Sequence, residues 1–191
     1  MGSYPSDAAL FLVDTILGIY ILLILLRFLL QLVRADFYNP ISQFLVHATN
    51  PPLVRLRRLI PRLLGIDLAA LLLLIALEAI RIFLSGYLLG ENSKPLGIFF
   101  LSIGELAKLT IHVIIFAIFI RALLSWFSSG LHHPMTALLH SFTEPILKPA
   151  RRLIPSATGI DFAPFFVFLI LMLVLKLVVS PVIDLGLEFL N

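Results

Sequence analysis

The sequence contains no cysteine and few charged residues. Of its 191 residues none is Cys, one is Trp, and 13% are Asp, Glu, Lys or Arg. The absence of cysteine excludes disulfides, thiolate metal sites and cysteine nucleophiles. In a soluble domain about a quarter of the residues are charged. Because 60% of this chain is hydrophobic and its mean hydropathy is +1.08, we expect lipid to surround most of it.

The sequence patterns of common catalytic sites are also missing. No serine has the flanking glycines of a nucleophile elbow, and no glycine-rich loop is present to bind a phosphate. His132, His133 and His140 suggest a zinc site, but the nearest carboxylate is Glu144, and histidines at the membrane interface are the favoured interpretation. We therefore expect no enzymatic activity, no cofactor and no metal.

What the sequence does contain is a tandem duplication. Arg57-Arg58-Leu59-Ile60-Pro61 precedes Gly65-Ile66-Asp67, and Arg151-Arg152-Leu153-Ile154-Pro155 precedes Gly159-Ile160-Asp161 at the same spacing. Subtracting 57 from 151 gives an offset of 94. The same offset relates five further pairs: Arg27 and Arg121, Pro40 and Pro134, Thr49 and Thr143, Pro51 and Pro145, and Ala69 and Ala163. A fixed period of this kind indicates one structural unit used twice.

Four long apolar runs flank the repeated motifs. At about 1.5 Å per residue, a helix of some 20 residues crosses the roughly 30 Å hydrocarbon core of a bilayer. The sequence therefore predicts an all-α integral membrane protein with four transmembrane helices in two parallel repeats, each a helix, an interfacial amphipathic segment and a helix. The predicted repeats are 8–90 and 96–187, and the predicted spans are 8–33, 66–89, 96–127 and 160–185.

A basic, proline-punctuated segment connects the two spans of each repeat, at 34–64 and at 128–158. Each segment has apolar residues at helical spacing after a proline: Ile41, Phe44, Leu45 and Ala48, and Met135, Leu138, Leu139 and Phe142. We expect Pro51-Pro52, and Pro145 with Pro149, to break these helices. The pieces are too short to span, so we predict that they lie in the headgroup layer. Re-entrant caps docked on the spans are the alternative.

The basic side chains of these segments are candidate contacts for anionic lipid headgroups or for a partner. They are Arg55, Arg57, Arg58, Lys148, Arg151 and Arg152. Their position between spans favours membrane topology and lipid over nucleic acid as the explanation. Segments 34–64 and 128–158 hold five and three basic residues, whereas the tails hold none. The positive-inside rule then predicts cytoplasmic basic segments and periplasmic termini.

Several charged residues lie within or beside the spans. Arg27 and Arg121 are near the ends of their spans, and Asp67 and Asp161 begin the next ones. We expect an Arg–Asp pair to lock each hairpin, because an unpaired charge there is costly, and a charged pathway for an ion is the alternative. Glu78 and Glu105 are the candidates for an ion or proton path. Each has a cation three residues later, so neutralising pairs are the favoured interpretation.

The motifs resemble those of the YggT family of small bacterial inner-membrane proteins, which has relatives in plastids. Asp36-Phe37-Tyr38-Asn39-Pro40, the Arg-Arg-Leu-Ile-Pro strings and the Gly-Ile-Asp strings carry the resemblance, which covers nearly the whole chain. The first copy matches more fully, since Leu131-His132-His133 replaces Phe37-Tyr38-Asn39 in the second. The resemblance implies a role in osmotic or other envelope stress for bacterial members, and supplies no catalytic mechanism.

These observations lead to an expected function that is not enzymatic. We expect an inner-membrane scaffold or accessory protein in envelope or osmotic stress, which contacts the lipid bilayer and another membrane protein or a second copy of itself. One alternative is a subunit of an oligomeric ion channel or transporter. A further alternative is an assembly factor that handles a lipid or a cofactor.

Overall fold

The computed structural model describes residues 4–61, 63, 65–91, 94–127, 134–153 and 161–190. His132, His133, Arg62 and the string from Ile154 to Ile160 lie outside the described residues. The helices are α1 (Tyr4–Leu32), α2 (Pro40–Leu59), α3 (Leu68–Leu89), α4 (Pro95–Phe127), α5 (Pro134–Leu153), α6 (Ala163–Val174) and α7 (Ser180–Leu190). A π-helical turn at Leu175–Val179 joins α6 to α7.

Four helical stretches are long and apolar enough to cross a membrane. They are Tyr4–Leu32, Leu68–Leu89, Pro95–Leu124 and Ala163–Leu190. Only 11–22% of the most apolar part of each is buried inside the protein, so most of their large side chains need an apolar environment outside it. Examples of outward-facing side chains are Phe11, Ile16, Phe83, Phe116, Phe165 and Leu177. The chain is a multi-pass membrane protein, and the predicted all-α, four-span architecture is confirmed.

The two repeats have the same internal arrangement. In the first, α1 packs on α3 and α2 contacts both; in the second, α4 packs on α6 and α7, while α5 contacts α4 and α6. The interface between α3 and α4 joins the repeats. The beginnings of α2 and α5 also meet, where Asn39 Nδ2 donates to the carbonyl of Pro134 at 2.7 Å. The second repeat therefore has the same arrangement of spans and amphipathic helix as the first.

Glycines allow α4 and α7 to pack closely. A Cβ atom added at Gly186 would lie 2.7 Å from Leu101 Cγ and 2.8 Å from Leu101 N. One added at Gly97 would lie 2.6 Å from the backbone N of Leu190. Helices in membranes commonly associate through small residues of this kind, because lipid tails compete equally for larger apolar surfaces. This contact fixes the last span against the third.

The prediction that prolines break the amphipathic helices is wrong. Helix α2 continues through Pro51 and Pro52, and α5 continues through Pro145 and Pro149. Each proline removes a backbone hydrogen bond. Packing on both sides of the pair compensates, because Leu45 and Leu53 lie in the protein interior at 3% and 0% exposure. Each amphipathic segment is consequently a single helix of 20 residues.

The buried face of α2 also differs from the predicted apolar stripe. Its buried residues are Ser42, Leu45, Thr49 and Leu53, whereas Phe44 is 60% exposed. The face that docks on α1 and α3 is polar in part because it receives a buried arginine, which an apolar pattern does not reveal. In α5 the agreement is better, since Leu138 and Phe142 are buried. Both helices dock on the protein's own spans and leave apolar side chains exposed, such as Leu59 of α2 and Leu153 of α5.

Candidate functional site

Arg27 forms the first of two contacts that hold α2 on its hairpin. Its Nη1 donates to Thr49 Oγ1 at 2.7 Å and to the carbonyl of Val46 at 3.3 Å. The Thr49 hydroxyl in turn donates to the carbonyl of Leu45 at 2.6 Å. Arg27 is 6% exposed and Thr49 is fully buried. Because a buried guanidinium needs acceptors, the α2 backbone and hydroxyl replace the water it has lost.

Arg57 forms the second contact, with Asp67 at the start of α3. Arg57 Nε donates to Asp67 Oδ2 at 2.9 Å, and its Nη2 donates to the same oxygen. The other carboxylate oxygen of Asp67 accepts from the backbone N–H of Ala70 at 3.2 Å and caps α3. Asp67 is 2% exposed. The end of α2 is therefore tied to the beginning of the following span.

These contacts change the expected pairing. We predicted that Arg27 pairs with Asp67, and that Arg121 pairs with Asp161. In the structure, Asp67 instead pairs with Arg57, and Asp161 pairs with Arg151. The turn after α2 brings the last turn of that helix over the first residue of the next span. Arg27 therefore donates hydrogen bonds to the middle of α2, at Val46 and Thr49, and not to Asp67.

The second repeat reproduces both contacts. Arg121 Nη1 donates to Thr143 Oγ1 at 2.7 Å, and this hydroxyl donates to the carbonyl of Leu139 at 2.7 Å. Arg151 Nε donates to Asp161 Oδ2 at 2.7 Å. Asp161 Oδ1 accepts from the N–H of Ala163 at 3.0 Å. The arginine–threonine and arginine–aspartate hydrogen bonds thus recur at positions related by the repeat offset, although the aspartates accept from different backbone groups, Ala70 in the first copy and Ala163 in the second.

Glu144 adds a charge that the first repeat lacks, since the equivalent residue is Asn50. It accepts from Arg121 Nη2 at 2.9 Å and from Arg151 Nη1 at 3.0 Å, so it connects the two contacts of its repeat. Burial favours the neutral acid, but the hydrogen bonds from Arg121 and Arg151 outweigh it and hold the pKa of Glu144 below its usual value. Burial alone would lower the pKa of Arg151, but the hydrogen bonds and charges of Asp161 and Glu144 outweigh it and raise this pKa above its usual value.

The two arginines of each Arg-Arg pair differ in environment. Arg57 and Arg151 are partly buried and bonded to aspartates, whereas Arg58 and Arg152 are exposed. This divides the six predicted lipid or partner contacts. Arg57 and Arg151 have structural partners, and the exposed cations form what we call the basic surface: Arg55, Arg58, Lys148 and Arg152.

A polar pocket within the spans brings together the two candidate carboxylates. Arg81 Nε donates to Glu78 Oε1 at 3.2 Å, and Lys108 Nζ donates to Glu105 Oε1 at 3.2 Å. All four side chains line one cavity of about 190 Å³ between α1, α3 and α4. Both neutralising pairs are thus formed. Arg81 Nη1 also donates to Asp14 Oδ1 on α1 at 3.1 Å, a contact across 67 residues that the sequence alone does not reveal.

Comparison with known proteins identifies the family. The model of the CCB3/YggT family matches the chain twice, at residues 6–88 and 100–182. The chain belongs to the CCB3/YggT family. The two matches have the offset of 94 seen in the repeated motifs, so the tandem repeat is confirmed. No solved structure matches the chain significantly.

Curated members of the CCB3/YggT family resemble the chain over most of its length. An uncharacterized protein of Pseudomonas aeruginosa is 44% identical over 179 residues, which cover 92% of this chain and 90% of that protein. The uncharacterized protein YggT of Escherichia coli K12 is 36% identical over 162 residues, or 84% of each chain. An uncharacterized protein of Vibrio alginolyticus is 38% identical over 161 residues, which cover 83% of this chain and 86% of that protein.

Proposed function

We propose that this protein is a non-enzymatic scaffold or accessory protein of the bacterial inner membrane that acts in envelope or osmotic stress. The observation that carries the proposal is the basic surface on α2 and α5. Its four cations are exposed, while the neighbouring Arg57 and Arg151 are bonded to Asp67 and Asp161. The surface therefore has a fixed position relative to the spans, as a docking surface requires.

The contacts that attach α2 and α5 to the spans support this role. Each basic helix is attached at its middle by an arginine–threonine hydrogen bond and near its end by an arginine–aspartate pair. Asn39 joins the two helices at their beginnings. Exposed arginines and lysines near a membrane attract anionic headgroups, with about 1 kcal/mol per residue. Anionic lipid and an acidic partner protein are both consistent with such a surface.

The proposed orientation places α2 and α5 in the cytoplasm and both termini in the periplasm. It rests on the excess of basic residues in segments 34–64 and 128–158. In this orientation the basic surface faces the cytoplasmic leaflet of the inner membrane. Partners would then be cytoplasmic or would share the inner membrane.

The test uses the full chain in a bacterium that lacks its own copy. A variant with Gln at positions 55, 58, 148 and 152 should reach normal membrane levels but fail to restore growth after an osmotic shift. A variant with Lys at positions 55, 58 and 152 is the matched control and should restore it, because charge is retained. Normal growth with the Gln variant would contradict the proposal.

The same test includes purified protein in liposomes. A scaffold should give no ion or proton flux when the vesicles are loaded with a pH-sensitive dye and exposed to ion gradients. Anionic lipid retained by the protein in mild detergent should decrease in the Gln variant and not in the Lys variant. Flux through the unmodified protein would overturn the scaffold proposal.

A transport function is the second candidate because Glu78 and Glu105 line the same pocket. Carboxylates within a membrane commonly mark ion or proton paths. If transport is the function, the flux in liposomes should disappear when both residues are changed to Gln. It should persist after Glu188→Gln, which removes an exposed carboxylate on α7.

A further inference from the structure

A second cavity adjoins the polar pocket, and its lining is almost entirely apolar. It is a groove of about 720 Å³ between α1 and α4, covered at one end by α2 and α5. Its lining includes Leu22, Leu26, Leu45, Val113, Phe116 and Leu138. Among the described residues that line it, His112 is the only polar one. Leu22 and Phe116 are related by the repeat offset, so the groove lies where the first spans of the two repeats face each other.

The two cavities share Leu109 and His112. A molecule that occupies both would therefore pass from a hydrocarbon environment to a polar one at these two residues. The polar part is lined by Glu78, Arg81, Glu105 and Lys108, whose formal charges sum to zero, and Asp14, the further partner of Arg81, does not line it. A charged head group would have no net counter-charge from these four residues, which is costly within a membrane. An uncharged head group avoids this cost.

The polar pocket offers both hydrogen-bond donors and acceptors. Lys108 and Arg81 are donors, and the carboxylates of Glu78 and Glu105 are acceptors. His112 Nδ1 lies 2.9 Å from the carbonyl of Lys108. That contact makes Nδ1 the donor and gives Nε2 the acceptor role in the neutral ring. One water needs only about 10–15 Å³ of such a cavity, so a pocket of about 190 Å³ takes a group larger than a hydroxyl.

We infer that the two cavities form one binding site for a prenyl quinone or quinol. The tail occupies the groove between α1 and α4, and the ring lies in the polar pocket. Lys108 and Arg81 donate to the carbonyl oxygens of the quinone, whereas Glu105 and His112 accept from the hydroxyls of the quinol. The inference concerns binding alone and is independent of the basic surface, so its failure would leave the proposed function standing.

The test uses the full chain in nanodiscs of uncharged phospholipid. The probe is a prenyl benzoquinone with an azide on its ring, and mass spectrometry locates the cross-link after illumination. Labelling should saturate, should be prevented by unlabelled prenyl quinone, and should concentrate on the α4 segment around Lys108 and His112. An acyl-chain photoprobe on phosphatidylcholine should not give this pattern.

Two variants on α1 provide the comparison. Leu22→Trp fills the groove and should reduce labelling by about tenfold or more. Leu12→Trp adds the same side chain at a position that is 55% exposed and does not line the groove, so it should label like the unmodified chain. Should Leu22→Trp fail to fold, the double change Glu105→Met with Lys108→Met removes two of the four proposed ring contacts without leaving an unpaired charge. It should also lower labelling.

Three outcomes would overturn the inference. The first is equal labelling of Leu22→Trp and Leu12→Trp. The second is protection by unlabelled phospholipid as effective as that by quinone, since an ordinary bilayer lipid would then fill the groove. The third is a disulfide between two copies of a Leu22→Cys variant combined with no saturable labelling, since a second copy would then occupy the groove.

Discussion

Arg57 and Arg58 are adjacent in sequence but have different surroundings. Arg57 donates to Asp67, which is nearly fully buried and also caps α3. Arg58 is exposed. Removing one partner of a buried ion pair leaves the other charge without compensation, which is far more costly than losing a surface charge. Within the Arg-Arg motif, Arg57 thus contributes to stability and Arg58 contributes charge to the surface.

Asp67→Ala should lower the free energy of unfolding by about 3 kcal/mol, because it leaves Arg57 unpaired and removes the cap of α3. Arg58→Ala is the matched control and should change it by less than about 0.5 kcal/mol. Thermal unfolding in mild detergent measures both. Combining Arg57→Ala with Asp67→Ala should cost less than the sum of the single changes. Additive effects would show that the two side chains do not interact.

Glu144 should make the stability of the second repeat depend on pH. Its pKa is lower in the folded protein than in the unfolded chain. The stabilisation by this carboxylate is therefore complete above the unfolded pKa of about 4.3 and is lost as the pH falls through the lower folded pKa. The difference in melting temperature between the unmodified chain and Glu144→Gln should accordingly be largest near pH 7 and shrink below about pH 4.3.

Glu188→Gln controls for the loss of any one carboxylate, since Glu188 is exposed on α7. Its melting temperature should follow that of the unmodified chain throughout the pH series. A constant difference for Glu144→Gln down to pH 2 would mean that Glu144 is not held ionised by Arg121 and Arg151.

At the level of elements, the helices were more predictable than their contacts. The lengths of the apolar runs predicted all four spans, because a bilayer has a fixed thickness. The partner of Asp67 could not be predicted, because it depends on the direction of α2 and on the turn that follows it. Thr49 was overlooked because apolarity alone defined the docking face, although its recurrence as Thr143 was visible. The predicted break at Pro51 and Pro52 is absent because tertiary packing outweighs the helix-breaking tendency of proline.

The contact between α4 and α7 gives a prediction at this scale. Gly186→Ala should destabilise the protein by about 1–3 kcal/mol, because the new Cβ would lie 2.7–2.8 Å from atoms of Leu101. Gly18→Ala on α1 is the matched control: no atom lies within 4 Å of its added Cβ. Better helix propensity should make this control neutral or slightly stabilising. Equal destabilisation by both changes would show that α4 and α7 are not in close contact.

For the whole molecule, the main consequence of the duplication is that both basic helices lie on one side. Each repeat contributes two spans, so the chain returns to the same side after every repeat. The structure supports this through the contact between α2 and α5 and the hydrogen bond from Asn39 to Pro134. The exposed cations of both helices therefore lie on the same side of the molecule. An antiparallel duplication would have placed them on opposite sides of the membrane.

Cysteine accessibility tests this arrangement most directly, and the absence of native cysteine leaves no background. Single variants at four exposed positions, Tyr4→Cys, Gln43→Cys, Glu91→Cys and Ser141→Cys, are treated in intact cells with a maleimide that does not cross the inner membrane. Positions 4 and 91 should react at once, and positions 43 and 141 only after the inner membrane is permeabilised. Reaction of positions 43 and 141 from opposite sides would contradict the parallel repeat and the placement of both basic helices on one side of the membrane.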